Sequence, residues 1–156
     1  MKPPALKAEV KKAFKKLLKQ KGKQRQIEQT AVSLHQEVFA DTDCLACANC
    51  CRSIPPIVTG QDARRIAKYL GMKESVFEST YLRIDEDGDQ VMNTTPCPFL
   101  DEYNYCAIYE VRPKACAEYP HTDMRDFCKH PALHLQNAQV CPAAARIVAA
   151  IVEKCQ

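Results

Sequence analysis

The sequence predicts a mainly helical α+β fold with short hairpins, arranged as a small cysteine-rich single domain with an N-terminal basic helical extension. Three observations carry this reading. Apolar residues recur at helical spacing near both ends, Gly- and Asp-punctuated segments in the middle read as hairpins, and ten cysteines are crowded into 156 residues. A chain of this length is long enough for one real core. The organisation expected is a basic helical extension over 1–40, followed by a cysteine-cluster domain over 41–156.

Residues 5–20 place Leu6, Val10, Phe14, Leu17 and Leu18 at helical spacing with lysines between them, and Gly22 interrupts the pattern. Ile27, Val32, Leu34, Val38 and Phe39 predict a second helix running toward the first cysteines. Residues 44–51 are rich in cysteine and poor in core residues, so a loop with short helical turns is expected there. Thr59 and Asp62 have the spacing of a capping box, Ala63, Ile66, Ala67 and Leu70 follow at helical spacing, and Gly71 closes the helix. A short helix is expected over 73–81. A hairpin follows, from Tyr81–Ile84 through a turn at Asp87-Gly88 to Gln90–Met92, with a second short hairpin over 99–109. Pro113 suits the start of a short helix carrying Cys116. Residues 142–154 form a last amphipathic helix with Ile147, Val148 and Ile151 on its apolar face.

Charge is distributed unevenly. Residues 1–25 hold nine lysines and Arg25 against the single acid Glu9, leaving 12 basic and 18 acidic residues in the remainder. A segment of net charge +9 is thus joined to a body of −6. Nucleic acid or anionic lipid are the partners such a segment can recruit through phosphate contacts. Phe14 is its one aromatic residue, however, and a helix packed on the body through its Leu and Phe stripe is the preferred reading. No apolar run is long enough to cross a bilayer and no signal-peptide core follows the basic start, so a cytoplasmic location is expected. In a reducing compartment, ten cysteines point to metal ligation or reactive thiols rather than disulfides.

Cys44, Cys47, Cys50 and Cys51 form a C-x2-C-x2-C-C cluster, and Cys97, Cys106, Cys116 and Cys141 follow at longer spacings. Short C-x2-C spacing lets soft thiolates converge on one ion or cluster, so the domain is read as metal-stabilised. Adjacent side chains point in different directions, which makes Cys50 and Cys51 awkward ligands of one tetrahedral ion. Two arrangements remain open. Eight thiolates can form two four-sulfur zinc sites that divide Cys50 from Cys51. Alternatively Cys44, Cys47 and Cys50 hold three corners of a [4Fe–4S] cluster, and a remote cysteine preceding proline, Cys97 or Cys141, supplies the fourth. The ferredoxin-like C-x2-C-x2-C element and the two Cys-Pro pairs lean the reading toward iron. Four thiolates on either group leave a net negative charge, which the Arg112 guanidinium can offset, so Arg112 is read as a cofactor-binding residue.

Cys44-x2-Cys47-x2-Cys50-Cys51, Cys97-Pro98-Phe99-Leu100 and Cys106-Ala107-Ile108-Tyr109-Glu110-x-Arg112-Pro113-x2-Cys116 together resemble the YkgJ-type cysteine-cluster proteins. That family is described as a zinc- or iron-chelating domain with a CxxCxxCC signature. The resemblance covers residues 44–120 and extends to Cys141. It implies metal chelation by these cysteines and no particular activity. Flagellin lysine N-methylases carry a similar module in much longer chains, so a metal-dependent protein-modifying enzyme is one alternative. A structural zinc adaptor that meets a protein partner through the basic arm is the other.

The remaining candidates are weaker. Asp85, Asp87 and Asp89 imitate the start of a calcium loop, but Gly88 falls at the wrong position and Pro96 stands where a bidentate Glu is needed. His130 and His134 are spaced for one helix face, provided the helix begins near Pro131, and His121 lies nearby; surface or capping roles are preferred for all three. Cys128 is balanced between ligand, reactive thiol and packing, and Cys155 is read as a bystander. No catalytic set is defined by the sequence.

Overall fold

The computed structural model describes residues 2–3 and 5–156. It is about 60% helical with one two-stranded antiparallel sheet, which makes it the mainly helical α+β fold expected. The chain divides into two compact units, Met1–Cys44 with Pro120–Gln156, and Leu45–Tyr119.

The first unit is helical. It contains α1 (Ala8–Leu18) and α2 (Gln24–Ala40) from the N-terminal part, and α8 (Pro131–Ala138) and α9 (Pro142–Cys155) from the C-terminal part. Cys141 caps α9, its sulfur accepting from the Ala144 N–H at 3.5 Å, and Pro142 occupies the first turn, where no N–H is required. The alanine-rich start of α9 favours helix and lets its neighbours approach closely. Ile147, Val148, Ile151, Val152 and Cys155 then form its buried stripe. The other three helices pack on it. From α1 come Phe14, Leu17 and Leu18, and from α2 come Ile27, Ala31, Leu34 and Val38. The Leu and Phe stripe of the basic segment is therefore core.

The structure resolves one open reading here, Cys128, and overturns another, His134. Cys128 and Cys155 are buried in this core, and the Cys128 thiol donates to the Gln24 carbonyl at 3.8 Å. Burial first, then the nearby Glu28 and Cys155, pushes the Cys128 thiol up to about 11, so it is an unreactive packing group. His134 is neither surface nor cap. It is fully buried, stacked on Phe127 at 3.7 Å, with Phe14 edge-on to both rings. Its Nε2 lies 2.9 Å from the Phe127 carbonyl and donates to it, which leaves Nδ1 buried without a partner among the described residues. Pro131 begins α8, and His130 is the cap residue before it.

The second unit contains the cysteine turns α3 (Cys44–Cys47, from Leu45 onward) and α4 (Asn49–Ser53), then α5 (Gly60–Leu70), α6 (Glu74–Tyr81), β1 (Leu82–Ile84), β2 (Gln90–Met92) and α7 (Lys114–Glu118). The capping box of α5 is reciprocal. Thr59 Oγ1 accepts from the Asp62 N–H at 3.1 Å, and the Asp62 carboxylate accepts from the Thr59 N–H at 3.0 Å. Gly71 ends the helix at φ 70°, a conformation costly for any residue with a Cβ. In the hairpin, Arg83 faces Val91, and Ile57 bridges to Val91 from the other side. The Asp85 carboxylate is turned onto the N–H groups of Asp87 and Asp89 in its own loop, both at 2.9 Å. Val58, Ile66, Phe77, Met92, Phe99 and Ile108 form a smaller core.

The hairpin expected over 99–109 is reduced to a single bridge, Leu100 to Cys106. The Asp101 carboxylate accepts from the N–H groups of Tyr103 and Tyr105, at 2.8 and 2.9 Å, and folds the segment into a tight loop instead of extending the ladder.

Candidate metal centre

In the second unit, α3 and α4 are separated by Ala48, which sits in the left-handed region at φ 48° although it is not glycine. That residue breaks what would otherwise be one helix, so the C-x2-C-x2-C-C run makes two short turns. Two contacts tie these turns to the loop that leads to Cys106. Asn104 Nδ2 donates to the Leu45 carbonyl, at 2.6 Å, and the Asn104 side-chain carbonyl accepts from Arg52. The Cys97 N–H donates to the Cys51 carbonyl at 2.8 Å, which lays the Cys97-Pro98 turn directly against α4.

A second anchor positions Cys116. Asp62 is buried, and its carboxylate accepts from the Thr59 N–H, from Arg65 at 2.8 Å and from the Lys114 N–H at 3.3 Å. Arg65 also donates to the carbonyls of Val111 and Arg112, the latter at 2.8 Å. Burial opposes ionisation of Asp62, but these hydrogen bonds outweigh it and hold its carboxyl below the usual range. The capping residue of α5 is thus also the post to which the Arg112-Pro113 turn and α7 are attached. Sequence reading recognised only the cap; nothing in the local pattern signals bonds to Lys114, 52 residues away.

Cys51, Cys97, Cys106 and Cys116 lie close enough for their charges to interact. Cys51 is the exception in acidity: a hydrogen bond from Cys50 outweighs burial and, with the Arg52 charge, lowers its thiol to about 7. Burial first, and then the neighbouring thiolates, raise Cys97 and Cys106. The same causes raise Cys116 to about 12. Cys116 keeps an exposed surface, yet the like charges of the other three act on it regardless. Arg112 pulls the other way on Cys106 and Cys116. Its guanidinium lies 4.1 Å from the Tyr109 ring centre and donates to the Tyr109 carbonyl at 2.9 Å. No carboxylate pairs with Arg112 among the described residues, so its charge is directed at the sulfurs.

Four soft sulfurs beside a guanidinium suit zinc or an iron–sulfur group better than a hard cation. Among the described residues, no three His, Cys, Asp or Glu side chains already stand at coordinating geometry. The thiolate forms of Cys51, Cys97, Cys106 and Cys116 would repel one another, and a bound cation would relieve that repulsion. Cys50 is held to Cys51, and Cys47 lies in the same unit with its carbonyl accepting from Arg52. Cys44 and Cys141 belong to the first unit, where Cys141 caps α9. Cys128, His130 and His134 lie in that unit as well, and the structure gives Cys128 and His134 packing roles.

A family model for the CxxCxxCC group, described as a "Putative zinc- or iron-chelating domain", matches residues 43–142. The chain belongs to the CxxCxxCC family. All eight cysteines of the C-x2-C-x2-C-C run and its followers fall within the matched span, and Cys155 lies outside it. No curated protein and no solved structure gives a significant match.

Proposed function

We propose that this CxxCxxCC protein holds a metal centre through the thiolates of Cys51, Cys97, Cys106 and Cys116, with Arg112 offsetting the negative charge. The observation that carries the reading is that these four cysteines, from four separate segments of one compact unit, lie close enough for their charges to interact, beside a guanidinium with no acidic partner among the described residues. Cys44, Cys47, Cys50 and Cys141 are proposed as the further ligands of the family span. Metal binding is assigned to residues 41–156 and not to the basic segment 1–40. A reducing cytoplasm, where the thiols persist, is the proposed compartment.

An iron–sulfur cluster is the preferred occupant, because of the C-x2-C-x2-C element and the two Cys-Pro pairs; such a cluster supplies one-electron redox chemistry. The second reading is a structural zinc site. It is favoured by the closed character of a four-sulfur set, which leaves no ligand position open for substrate. Either occupant must displace protons from Cys97, Cys106 and Cys116, so loading releases protons.

Anaerobic purification followed by metal analysis and a visible spectrum tests the reading. Brown protein with matching iron and acid-labile sulfide supports the cluster. Colourless protein loaded with zinc supports the second reading. Protein that retains neither metal, or Cys51→Ser and Cys97→Ser variants that load like wild type, overturns both. Cys155→Ser is expected to leave metal content unchanged.

A further inference from the structure

We propose that the outer face of α1 is a docking surface for the phosphate backbone of duplex nucleic acid. Lys12, Lys15 and Lys16 of α1 and Lys19, the helical-conformation residue that caps its C-terminus, are all exposed. At about 100° per residue they fall in one stripe roughly 100° wide. Phe14, Leu17 and Leu18, on the opposite side of the helix, are buried in the core of the first unit. The stripe is therefore held on a rigid, packed helix.

Its charge is unmatched. Among the described residues no ion pair involves any cation of residues 1–25, and Glu9 is the one acid in that segment. Lys23 is the cation there whose side chain is tied down, donating to the Cys155 carbonyl at 2.9 Å. So dense a set of like charges repels itself, and an anionic partner relieves that repulsion.

Three features select duplex backbone among anions. Insertion into a membrane needs the apolar face of an amphipathic helix, and that face is occupied by the protein's own core. Stacking on single-stranded bases needs exposed aromatic rings, and Phe14 is buried. A stiff polyanion remains. From Lys12 to Lys19 the stripe runs about 10 Å along the helix, and a duplex carries one charge per about 1.7 Å, so several phosphates face four lysines at once. The surface lies outside the matched family span and stands independently of the metal reading.

The test uses the full-length, metal-loaded protein and a labelled mixed-sequence DNA duplex, followed by fluorescence anisotropy across a salt series. Binding without sequence preference is expected, weakening steeply as salt rises. The triple variant Lys12→Glu, Lys16→Glu, Lys19→Glu is expected to lose at least about tenfold in affinity and to flatten the salt slope by about 2.7, since each phosphate contact contributes about 0.9. Lys68→Glu, an exposed lysine of the second unit, serves as the control and is expected to change little. Circular dichroism of the triple variant checks that its fold is retained. The proposal is overturned by no binding at low salt, by a triple variant that binds like wild type, by stronger binding to phosphatidylserine vesicles at equal phosphate, or by salt-sensitive self-association in place of duplex binding.

Discussion

The two units are of similar length but are held together by different means. In the first, four helices bury an apolar cluster that runs from Phe14 through Ile151 to Cys155, with fully buried rings at its centre. In the second, the cluster around Ile66, Phe77 and Phe99 is less than half as populous, and Cys97 and Cys106 lie on its edge. Apolar burial at about 25 cal/mol per Å² accounts for the first unit. The second keeps a thin core and depends on cross-links: the Asp62 post, the Asn104 ties and, on the proposed reading, a metal bound by four sulfurs. Cys128 and Cys155 serve as small hydrophobes in the first unit, whereas Cys51, Cys97, Cys106 and Cys116 of the second lie within reach of one another's charge.

The test expected to have the largest effect is metal removal. Chelation under reducing conditions should abolish amide protection across residues 45–119 while α1, α2, α8 and α9 keep theirs, as read by hydrogen exchange with mass spectrometry. Uniform loss in both units, or no loss in either, breaks the contrast.

Next comes the reciprocal perturbation. Phe14→Ala removes a fully buried ring that meets Phe127 and His134 edge-on, and should cost about 3–5 kcal/mol in urea unfolding of the first unit. Metal content should be unchanged. Partial loss of metal would trace to Cys44 and Cys141, the proposed ligands of the first unit, whereas complete loss would show that the second unit's centre depends on the first unit's core.

A pH series sharpens the account of the first core. Burial, which outweighs the hydrogen bond to Phe127, lowers His134 to about 4 from an ordinary 6.5. Between these values the unfolded chain binds a proton that the folded one does not, so stability is full above about 6.5 and falls as pH drops toward 4. The contribution is up to about 3 kcal/mol, at 1.36 kcal/mol per pKa unit. His134→Phe retains a stacked ring without the titration, so the variant's urea midpoint should depend less on pH over this window than that of wild type. An unchanged pH dependence in the variant would remove His134 from the explanation.

The smallest effect is expected at Thr59. Thr59→Ala removes one half of the capping box and should cost about 1 kcal/mol, seen as faster exchange at the first amides of α5. A much larger loss would mean that Asp62 needs Thr59 to hold its bonds to Arg65 and Lys114.

The sequence by itself determined the local elements, because they are specified within a few residues. The stripe of α1, the capping box at Thr59 and Asp62, the Gly71 stop, the turn at Asp87-Gly88 and the Pro142 start of α9 each stand where short-range pattern puts them. It also determined the soft-thiolate character of the candidate site, since cysteine spacing and the Arg112-Pro113 motif are written in residue types. Only the tertiary structure decided which sulfurs come within reach of one another's charge. Cys51 joins Cys97, Cys106 and Cys116 through backbone and side-chain bonds that span tens of residues, and no periodicity encodes these. The same holds for Asp62 as a post, Asn104 as a tie and His134 as a core ring. Each is a polar side chain whose role is set by what lies across the fold from it, and a polar residue looks the same in sequence whether water or a buried partner satisfies it.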